Sequence, residues 1–207
     1  YIVWGESCLQ KINGMYSFLI ISNKNEDIFC ARDITGQKPL YYSFKEDKIL
    51  ISSIPIRFDQ KKIISEEAIA DFLINGYLTS NKTILTDVFS LEPGHCLKIK
   101  GNKIKKYNYW KLSNLPLRNN HFNLTKTLNK IDKLLDSIVN NYKNQADVPV
   151  ALLLSGGIDS SLMFSYLQEN KNSPFCYTFD NQDSNSEVDD AKFYIKSAKH
   201  KVIKSEK

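Results

Sequence analysis

One short segment of the sequence combines the residue types that bind phosphate: Ser155-Gly156-Gly157-Ile158-Asp159-Ser160-Ser161. Its adjacent glycines allow a phosphate to approach the backbone without meeting a Cβ atom, and its serines supply hydroxyl donors. An apolar run precedes the segment and a helical pattern follows it, so unpaired N–H groups at the helix start would point toward the ligand. Neither the Gly-Lys-Ser/Thr of a Walker A loop nor a G-x-G-x-x-G is present. The segment therefore predicts a phosphate-binding loop of another type.

Asp159 adds an expectation about a metal ion. A carboxylate that faces a phosphate is repelled by it unless a cation lies between the two groups. We therefore predict that Asp159 binds Mg²⁺ together with a polyphosphate. A simpler interpretation stays open, in which Asp159 or Ser160 only caps the helix that follows.

The other residues that could bind metal or nucleic acid are dispersed. The four cysteines form no C-x-x-C pair and the three histidines have no ligand spacing, so we expect reduced core thiols, as in a cytosolic protein, and no metal site among them. The 28 Lys and Arg against 23 Asp and Glu leave a net charge of +5. Because these charges are spread along the chain, we expect a solvated surface and no nucleic-acid partner.

No segment is typical of a membrane or secreted protein. The longest apolar runs, such as residues 150–154, are far shorter than the roughly 20 residues needed to cross a bilayer. The start, from Tyr1 to Glu6, has no basic region followed by an apolar one. We expect a cytoplasmic localisation and no membrane partner.

The elements around the predicted loop alternate between strand and helix. Residues 148–154 form a continuous apolar run, typical of a strand buried on both faces in a parallel sheet. A strand is predicted over residues 175–179, and helices over 159–169 and 187–199. For the last helix, Ser186 and Asp189 have a capping-box spacing. Such βαβ units predict an α/β domain, preceded by a long helix whose apolar face holds Leu128, Ile131, Leu135, Ile138 and Tyr142.

The first hundred residues show short strands separated by polar turns instead. Aromatic and β-branched runs predict antiparallel strands over residues 15–21, 27–31, 40–44, 49–52 and 96–99. One helix interrupts them, with Ser65 as its N-cap and Gly76 at its end. We therefore predict an α+β domain over residues 1–112, a linker over 113–123 and an α/β domain over 124–207.

The loop after the apolar strand resembles the pyrophosphate loop of the ATP pyrophosphatase superfamily. Upstream motifs resemble one of its members, the glutamine-hydrolysing asparagine synthetase family, in the same order and at similar spacing. These motifs are Trp4-Gly5, INGMYSF at 12–18, ARDITGQKPLYY at 31–42, LEPGH at 91–95 and Tyr109-Trp110. The resemblance covers nearly the whole chain.

This resemblance implies an enzyme with two activities. A glutaminase domain of the N-terminal-nucleophile type would release ammonia from glutamine. A synthetase domain of the ATP-pyrophosphatase type would use ATP to convert aspartate to β-aspartyl-AMP and pyrophosphate, and ammonia would then displace AMP to give asparagine. The implied cofactors are ATP and Mg²⁺, the implied partners are these small molecules, and the family tendency to dimerise makes a homodimer the expected assembly.

The resemblance also assigns residues. Ser155, Gly156, Gly157, Asp159, Ser160 and Ser161 would hold the pyrophosphate, with Asp159 as the Mg²⁺ ligand. Leu154 and Phe179 would lie against the adenosine, although ordinary sheet core is an equally good interpretation of both. In the 31–42 motif, Arg32 and Asp33 are expected to form a structural pair. Trp4, Tyr41 and Tyr42 are expected to be packing residues.

Several family motifs are missing, and we interpret the sequence as an internal fragment. Tyr1 is no nucleophile, and the Cys-Gly-Ile start is absent, so we expect no catalytic residue for glutamine hydrolysis within the chain. The second loop of the synthetase site, Ser-Gly-x-Gly-x-Asp-Glu, is absent as well. Three hypotheses stay open: an asparagine synthetase, a related amidotransferase acting on another carboxylate such as a sugar acid, and an inactive remnant.

Overall fold

The structure, a computed structural model, describes residues 1–46, 48–56, 63–79, 81–101, 103–114, 123–168, 174–180, 187–195 and 199–204. Contacts divide the chain into two units, Tyr1–Arg118 and Asn119–Lys207. The first unit contains antiparallel sheets and the second a parallel sheet, which confirms the predicted change of fold class. The domain limits 112 and 124 stay predictions, and most of the predicted linker lies outside the described residues.

Two antiparallel sheets build the first unit. The strands are β1 (Ser17–Ile21), β2 (Ile28–Arg32), β3 (Tyr41–Lys45), β4 (Lys48–Ser52), β5 (Val88–Ser90), β6 (His95–Lys100) and β7 (Lys103–Asn108). In the described residues, one sheet has the order β1-β2-β6-β7 and the other β4-β3-β5. A core cluster joins both sheets through Cys30, Leu40, Tyr42, Leu91, Leu97 and Ile99.

The opposite face of the larger sheet is covered by a short 3₁₀ helix, Gly5–Gln10. Its Cys8 and Leu9 pack on Phe29, Ala31 and Cys96. Because neighbouring residues of a strand point to opposite faces, β2 supplies Cys30 to one core cluster and Phe29 and Ala31 to the other.

Helix α1 (Glu66–Asn75) begins and ends as predicted. The Oγ of Ser65 accepts a hydrogen bond from the N–H of Ala68 at 3.2 Å, which satisfies one of the free donors at the helix start. Gly76 ends the helix at φ +76°, a left-handed conformation that glycine adopts without strain.

The second unit alternates helices with parallel strands. Its elements are α2 (Leu124–Gln145), β8 (Ala151–Leu153), α3 (Ile158–Gln168), β9 (Phe175–Asp180), α4 (Glu187–Tyr194) and β10 (His200–Lys204). The described sheet has the order β10-β9-β8. Its core holds Leu154, Phe164, Cys176 and Ala191. A second cluster, of Val139, Tyr166 and Leu167, joins α2 to α3.

The prediction of a strand buried on both faces over residues 148–154 is wrong. β8 covers residues 151–153 alone and, among the described strands, pairs only with β9. Leu153 is 64% exposed, whereas Leu154, just after the strand, is 1% exposed. Because β8 has a described neighbour on one side only, it is not enclosed as a central strand would be.

Three described strands, β5, β7 and β10, lie outside the predicted strand ranges. Most of β7 is exposed, and its lysines lack the apolar alternation that identifies a strand in a sequence. β10 begins at His200, directly after the predicted end of the last helix. The last helix, α4, begins at Glu187 as predicted and ends at Tyr194, while Ser186 and residues 196–198 lie outside the described residues.

None of the described helices is long and apolar enough to cross a lipid bilayer.

Candidate functional site

Residues 155–161, called the phosphate loop from here on, start at the carboxyl end of β8. Both backbone polar groups of the preceding residue, Leu154, are bonded to β9. The N–H of Leu154 donates to the carbonyl of Tyr177 at 2.8 Å, and its carbonyl accepts from the Oγ1 of Thr178 at 2.6 Å. In parallel sheets ligands bind at this edge, beyond the carboxyl ends of the strands. The loop therefore occupies the predicted place between a parallel strand and a helix N-terminus.

The two glycines of the loop are required for different reasons. Gly156 has φ +81°, and a Cβ atom there would lie 2.5 Å from the Cβ of Asp190 and 2.7 Å from the backbone nitrogen of Ala191. Close packing against α4 thus excludes a side chain at this position. At Gly157 a Cβ would meet, among the described residues, only the Oγ of Ser155, at 3.4 Å. Gly157 is exposed, so its surface is open to an approaching ligand.

Two serine hydroxyls hold the loop together internally. The Oγ of Ser160 donates to the carbonyl of Gly157 at 3.1 Å. Its single proton is then used, so the 3.1 Å bond between the Ser155 and Ser160 hydroxyls has Ser155 as donor. Ser155 in turn accepts from the N–H of Gly157 at 3.4 Å. These bonds bring Ser155 and Ser160 together and use both of their hydroxyl protons within the loop.

The third serine has an unused hydroxyl. Ser161 is 8% exposed, and its N–H donates to the carbonyl of Gly157 at 3.0 Å. Within the described part of the chain its Oγ is buried without a hydrogen-bond partner. Leaving such a group unsatisfied typically costs about 1–3 kcal/mol. Because the Oγ has almost no accessible surface, a phosphate at the surface of the loop would contact it only after a change of its side-chain rotamer.

Asp159 lies in the first turn of α3 and is exposed. Among the described residues, no backbone N–H donates to its carboxylate or to the Oγ of Ser160, so the geometry does not support the interpretation of either residue as a helix cap. No group of three or more His, Cys, Asp and Glu side chains in the described ranges could hold a metal. A single free carboxylate suits Mg²⁺, which commonly binds one or two carboxylates together with phosphate oxygens and water.

The two predicted adenosine contacts differ in accessibility. Leu154 is 1% exposed and packs with Phe164, Cys176 and Ala191, so its side chain belongs to the core. Phe179 is 54% exposed, near the carboxyl end of β9. The ring of Phe179 is therefore free to contact a ligand. Leu154 could contact one only through its backbone atoms.

Residues around the loop that sequence reasoning missed are Thr178, His200 and Asp190. Thr178 is 1% exposed, and its Oγ1 lies 2.6 Å from the carbonyl oxygen of Leu154 and 2.9 Å from the Nε2 of His200. A polar residue inside an otherwise apolar strand was the one signal for Thr178. Asp190 approaches Gly156 and His200 reaches Thr178 through tertiary contacts alone, for which the sequence offered no signal.

In the first unit, Arg32 and Asp33 are structural, but the prediction that they form a pair is wrong. Both side chains bind the turn that follows β2, and Arg32 also binds Leu91, just after β5. The guanidinium of Arg32 donates to the carbonyls of Gly36, Lys38 and Leu91, at 2.6 to 2.8 Å. Asp33 is 0% exposed and accepts from the N–H groups of Thr35, Gln37 and Lys38 at 3.0 to 3.1 Å. The turn supplies carbonyl acceptors to Arg32 and N–H donors to Asp33, so both side chains are satisfied without an ion pair between them.

These bonds set the ionisation of Asp33. Burial alone would raise its pKa, but the hydrogen bonds donated by Lys38, Gln37 and Thr35 together outweigh that effect and hold the pKa below its usual value.

Among the predicted packing residues, Tyr42 is 8% exposed and confirms the prediction, whereas Trp4 is 55% exposed. Its ring lies 5.1 Å from the Nζ of Lys11.

The cysteines are all free and buried, as predicted. Burial raises the pKa of the Cys30 thiol to about 12, and it also raises the pKa values of Cys96 and Cys176. The nucleophilic form of cysteine is the thiolate, so these three residues are unsuited to covalent catalysis.

Two protein families match the sequence, one for each unit. The family described as "Glutamine amidotransferase domain" matches residues 1–110, and the one described as "Asparagine synthase" matches residues 130–205. Asparagine synthetase 1 (glutamine-hydrolyzing) of Bacillus subtilis is 32% identical over 93% of this chain and 30% of its own length. Asparagine synthetase 2 of the same organism is 30% identical over 80% of this chain and 24% of its own length.

Another relative has a different kind of name. Amidase chry2 of Gibberella zeae is 27% identical over 78% of this chain and 24% of its own length. The chain spans about a third or less of the length of the curated relatives that it matches.

Proposed function

The chain belongs to the glutamine-hydrolysing asparagine synthetase family, and from this premise we propose that its protein amidates aspartate to asparagine with glutamine and ATP. Ammonia comes from glutamine. A carboxylate oxygen of aspartate attacks the α phosphorus of ATP, the bond to the β phosphate breaks, and pyrophosphate leaves. The ammonia nitrogen then attacks the acyl carbon of β-aspartyl-AMP, and AMP leaves.

The observation that carries this proposal is the geometry of the phosphate loop. Its exposed Gly157 lies at the N-terminus of α3, where free N–H groups and the positive end of the helix dipole favour an anion. Because no Walker lysine is present, the loop is suited to hold the β and γ phosphates as a leaving group rather than to transfer the γ phosphate. The α phosphorus then stays open to a carboxylate.

The groups that would bind magnesium and pyrophosphate are the carboxylate of Asp159 and the N–H groups at the start of α3, because the hydroxyl protons of Ser155 and Ser160 are bonded within the loop. Asp159 is exposed and, within the described chain, free of hydrogen-bond partners, so its carboxylate is available to a cation. Bound Mg²⁺ would neutralise the charge that develops on pyrophosphate. The N–H groups at the start of α3 would bind phosphate oxygens, and the buried hydroxyl of Ser161 would bind one after its side chain turned toward the loop surface.

The adenosine would lie at the carboxyl edge of β9. Phe179 is exposed there, and an exposed aromatic ring offers a flat apolar surface to a base. For Leu154 we propose a contact through the backbone at most, since its side chain is enclosed in the core.

We further propose that residues 1–112 are glutaminase, 113–123 a linker and 124–207 synthetase. Burial raises the pKa values of Cys30, Cys96 and Cys176, so we propose none of these three thiols as the glutaminase nucleophile.

A binding experiment on the 207-residue chain tests the loop. We expect Mg·ATP to bind, Mg·pyrophosphate to compete with it, and AMP to compete weakly, because the loop would hold the β and γ phosphates. Isothermal titration calorimetry measures all three. Competition by AMP but not by pyrophosphate would contradict the proposed site.

A reaction experiment on a longer protein that contains this chain tests the chemistry. ATP labelled on the α phosphorus would give labelled AMP with aspartate and glutamine, and no labelled ADP. ADP as product would contradict adenylation. AMP formed with another acid but not with aspartate would favour the second candidate, an amidotransferase for a different carboxylate. One observation favours that candidate: amidase chry2 is similar to this chain and is not named an asparagine synthetase.

A further inference from the structure

A buried threonine links the start of the phosphate loop to the last described strand. Thr178, on β9, is 1% exposed. Its Oγ1 lies 2.6 Å from the carbonyl oxygen of Leu154 and 2.9 Å from the Nε2 of His200. The chain of hydrogen bonds therefore runs from β10, through β9, to the residue directly before Ser155.

The number of protons fixes the direction of both bonds. A carbonyl oxygen only accepts, so the single hydroxyl proton of Thr178 goes to Leu154. The Thr178 oxygen must then accept from His200, which places a proton on Nε2. Both the charged imidazole and one neutral tautomer have this proton. The link is therefore independent of the charge of His200 and depends only on the tautomer.

The link acts at the point where the loop leaves the sheet. The N–H of Leu154 is held by the carbonyl of Tyr177, and its carbonyl is held by Thr178. Two residues later, Gly156 packs against α4. Between these fixed points Ser155 has little freedom, and a site that binds a transition state needs such restraint from its surroundings.

We infer that His200 is a positioning residue for the phosphate loop, acting through the Thr178 hydroxyl on the carbonyl of Leu154. This inference rests on the proposed function, since it concerns how the loop is held for a polyphosphate. Within the described part of the chain, His200 has no hydrogen bond to a residue of the loop itself; its bond is to Thr178. Its effect on ligand affinity depends on keeping an N–H donor beside Thr178.

The chain offers two matched pairs of variants. Thr178→Ser keeps the hydroxyl, and Thr178→Val removes it with nearly the same shape. His200→Gln keeps an N–H donor at a similar reach, and His200→Leu removes the donor. If the role of these two residues were purely structural, the affinity for pyrophosphate would change with side-chain volume and with the stability of the protein. In the proposed role, the affinity changes with the presence or absence of the Thr178 hydroxyl and the His200 N–H donor.

The test measures the dissociation constant of Mg·pyrophosphate for each 207-residue variant, corrected for the folded fraction measured by hydrogen exchange of α3. We expect His200→Leu and Thr178→Val each to weaken binding about tenfold, and the two conservative variants to stay within about threefold of the parent. The double variant His200→Leu with Thr178→Val should bind no more weakly than Thr178→Val alone, because both remove the same link.

Three results would overturn the inference. They are parent-like binding by His200→Leu, equal losses in the conservative and non-conservative variants, and additive losses in the double variant. Long-range ¹⁵N–¹H NMR of the His200 ring gives a separate check, since a proton on Nδ1 alone would contradict the link even in the absence of ligand. Failure of the parent to bind pyrophosphate would overturn the proposed function, and the functional role of His200 with it, while the NMR result would still report on the hydrogen bonds.

Discussion

Gly156 and Asp190 are in such close contact that no side chain fits between them. A Cβ atom on Gly156 would lie 2.5 Å from the Cβ of Asp190, and Gly156 also has a left-handed φ of +81°. Helix α4 therefore helps to set the path of the phosphate loop. The first glycine of the motif serves the packing of the fold as well as any ligand.

Replacing Gly156 by alanine is expected to destabilise the second unit by roughly 2–3 kcal/mol, because the left-handed backbone and the contact with Asp190 both oppose a Cβ. Hydrogen exchange of α3 and α4, followed by mass spectrometry, measures the loss. Gly157→Ala is the matched control: its Cβ would be in ordinary contact with Ser155, so it should weaken phosphate binding without reducing protection. Equal protection in the two variants would contradict the packing argument.

Replacing Asp159 by asparagine should remove the dependence of pyrophosphate binding on magnesium. With Mg²⁺ present, we expect affinity to fall about tenfold or more, since a contact to a charged group is typically worth about 1.5–3 kcal/mol. With EDTA, the variant should bind pyrophosphate at least as tightly as the parent, because its neutral amide does not repel the phosphate. Asp189→Asn is the control, because Asp189 is exposed on α4 and paired with Lys192. A parent-like magnesium dependence in Asp159→Asn would exclude Asp159 as the ligand.

Replacing Asp33 by asparagine should destabilise the first unit by about 2 kcal/mol at pH 7, because the turn loses charge-assisted acceptors. The pKa of Asp33 is lowered in the folded state, so its stabilisation is present above the unfolded value of about 3.9 and is lost as pH falls through the lower folded value. The difference between parent and variant should therefore shrink below about pH 4. Urea unfolding followed by tryptophan fluorescence measures it, since Trp4 and Trp110 both lie in the first unit. A gap that stays constant down to the most acidic conditions would contradict this account.

The thiols should be unreactive until the chain unfolds. All four cysteines are buried, and burial raises the pKa of Cys30 to about 12, so few thiolates exist in mildly alkaline buffer. Titration with Ellman's reagent should detect almost no thiol in the native chain and all four in guanidinium chloride. Rapid modification of a single thiol in the native chain would identify an accessible cysteine, and Cys8→Ala would show whether it is Cys8.

The sequence alone determined those features whose signal is local. The ends of α1 follow from Ser65 and Gly76, because a cap needs only the few residues beside it. The phosphate loop is likewise a contiguous motif, and its place between a strand and a helix follows from the apolar run before it and the helical pattern after it.

Tertiary structure decided the features that join distant parts of the chain. Leu154 was open to two interpretations in the sequence, and the packing of Phe164, Cys176 and Ala191 around it placed its side chain in the core. The link from His200 through Thr178 to Leu154 spans three strands, and the approach of Asp190 to Gly156 depends on how α4 packs. Such contacts depend on which strands become neighbours and in what register, and residue periodicity reports only which face of its own element a side chain occupies.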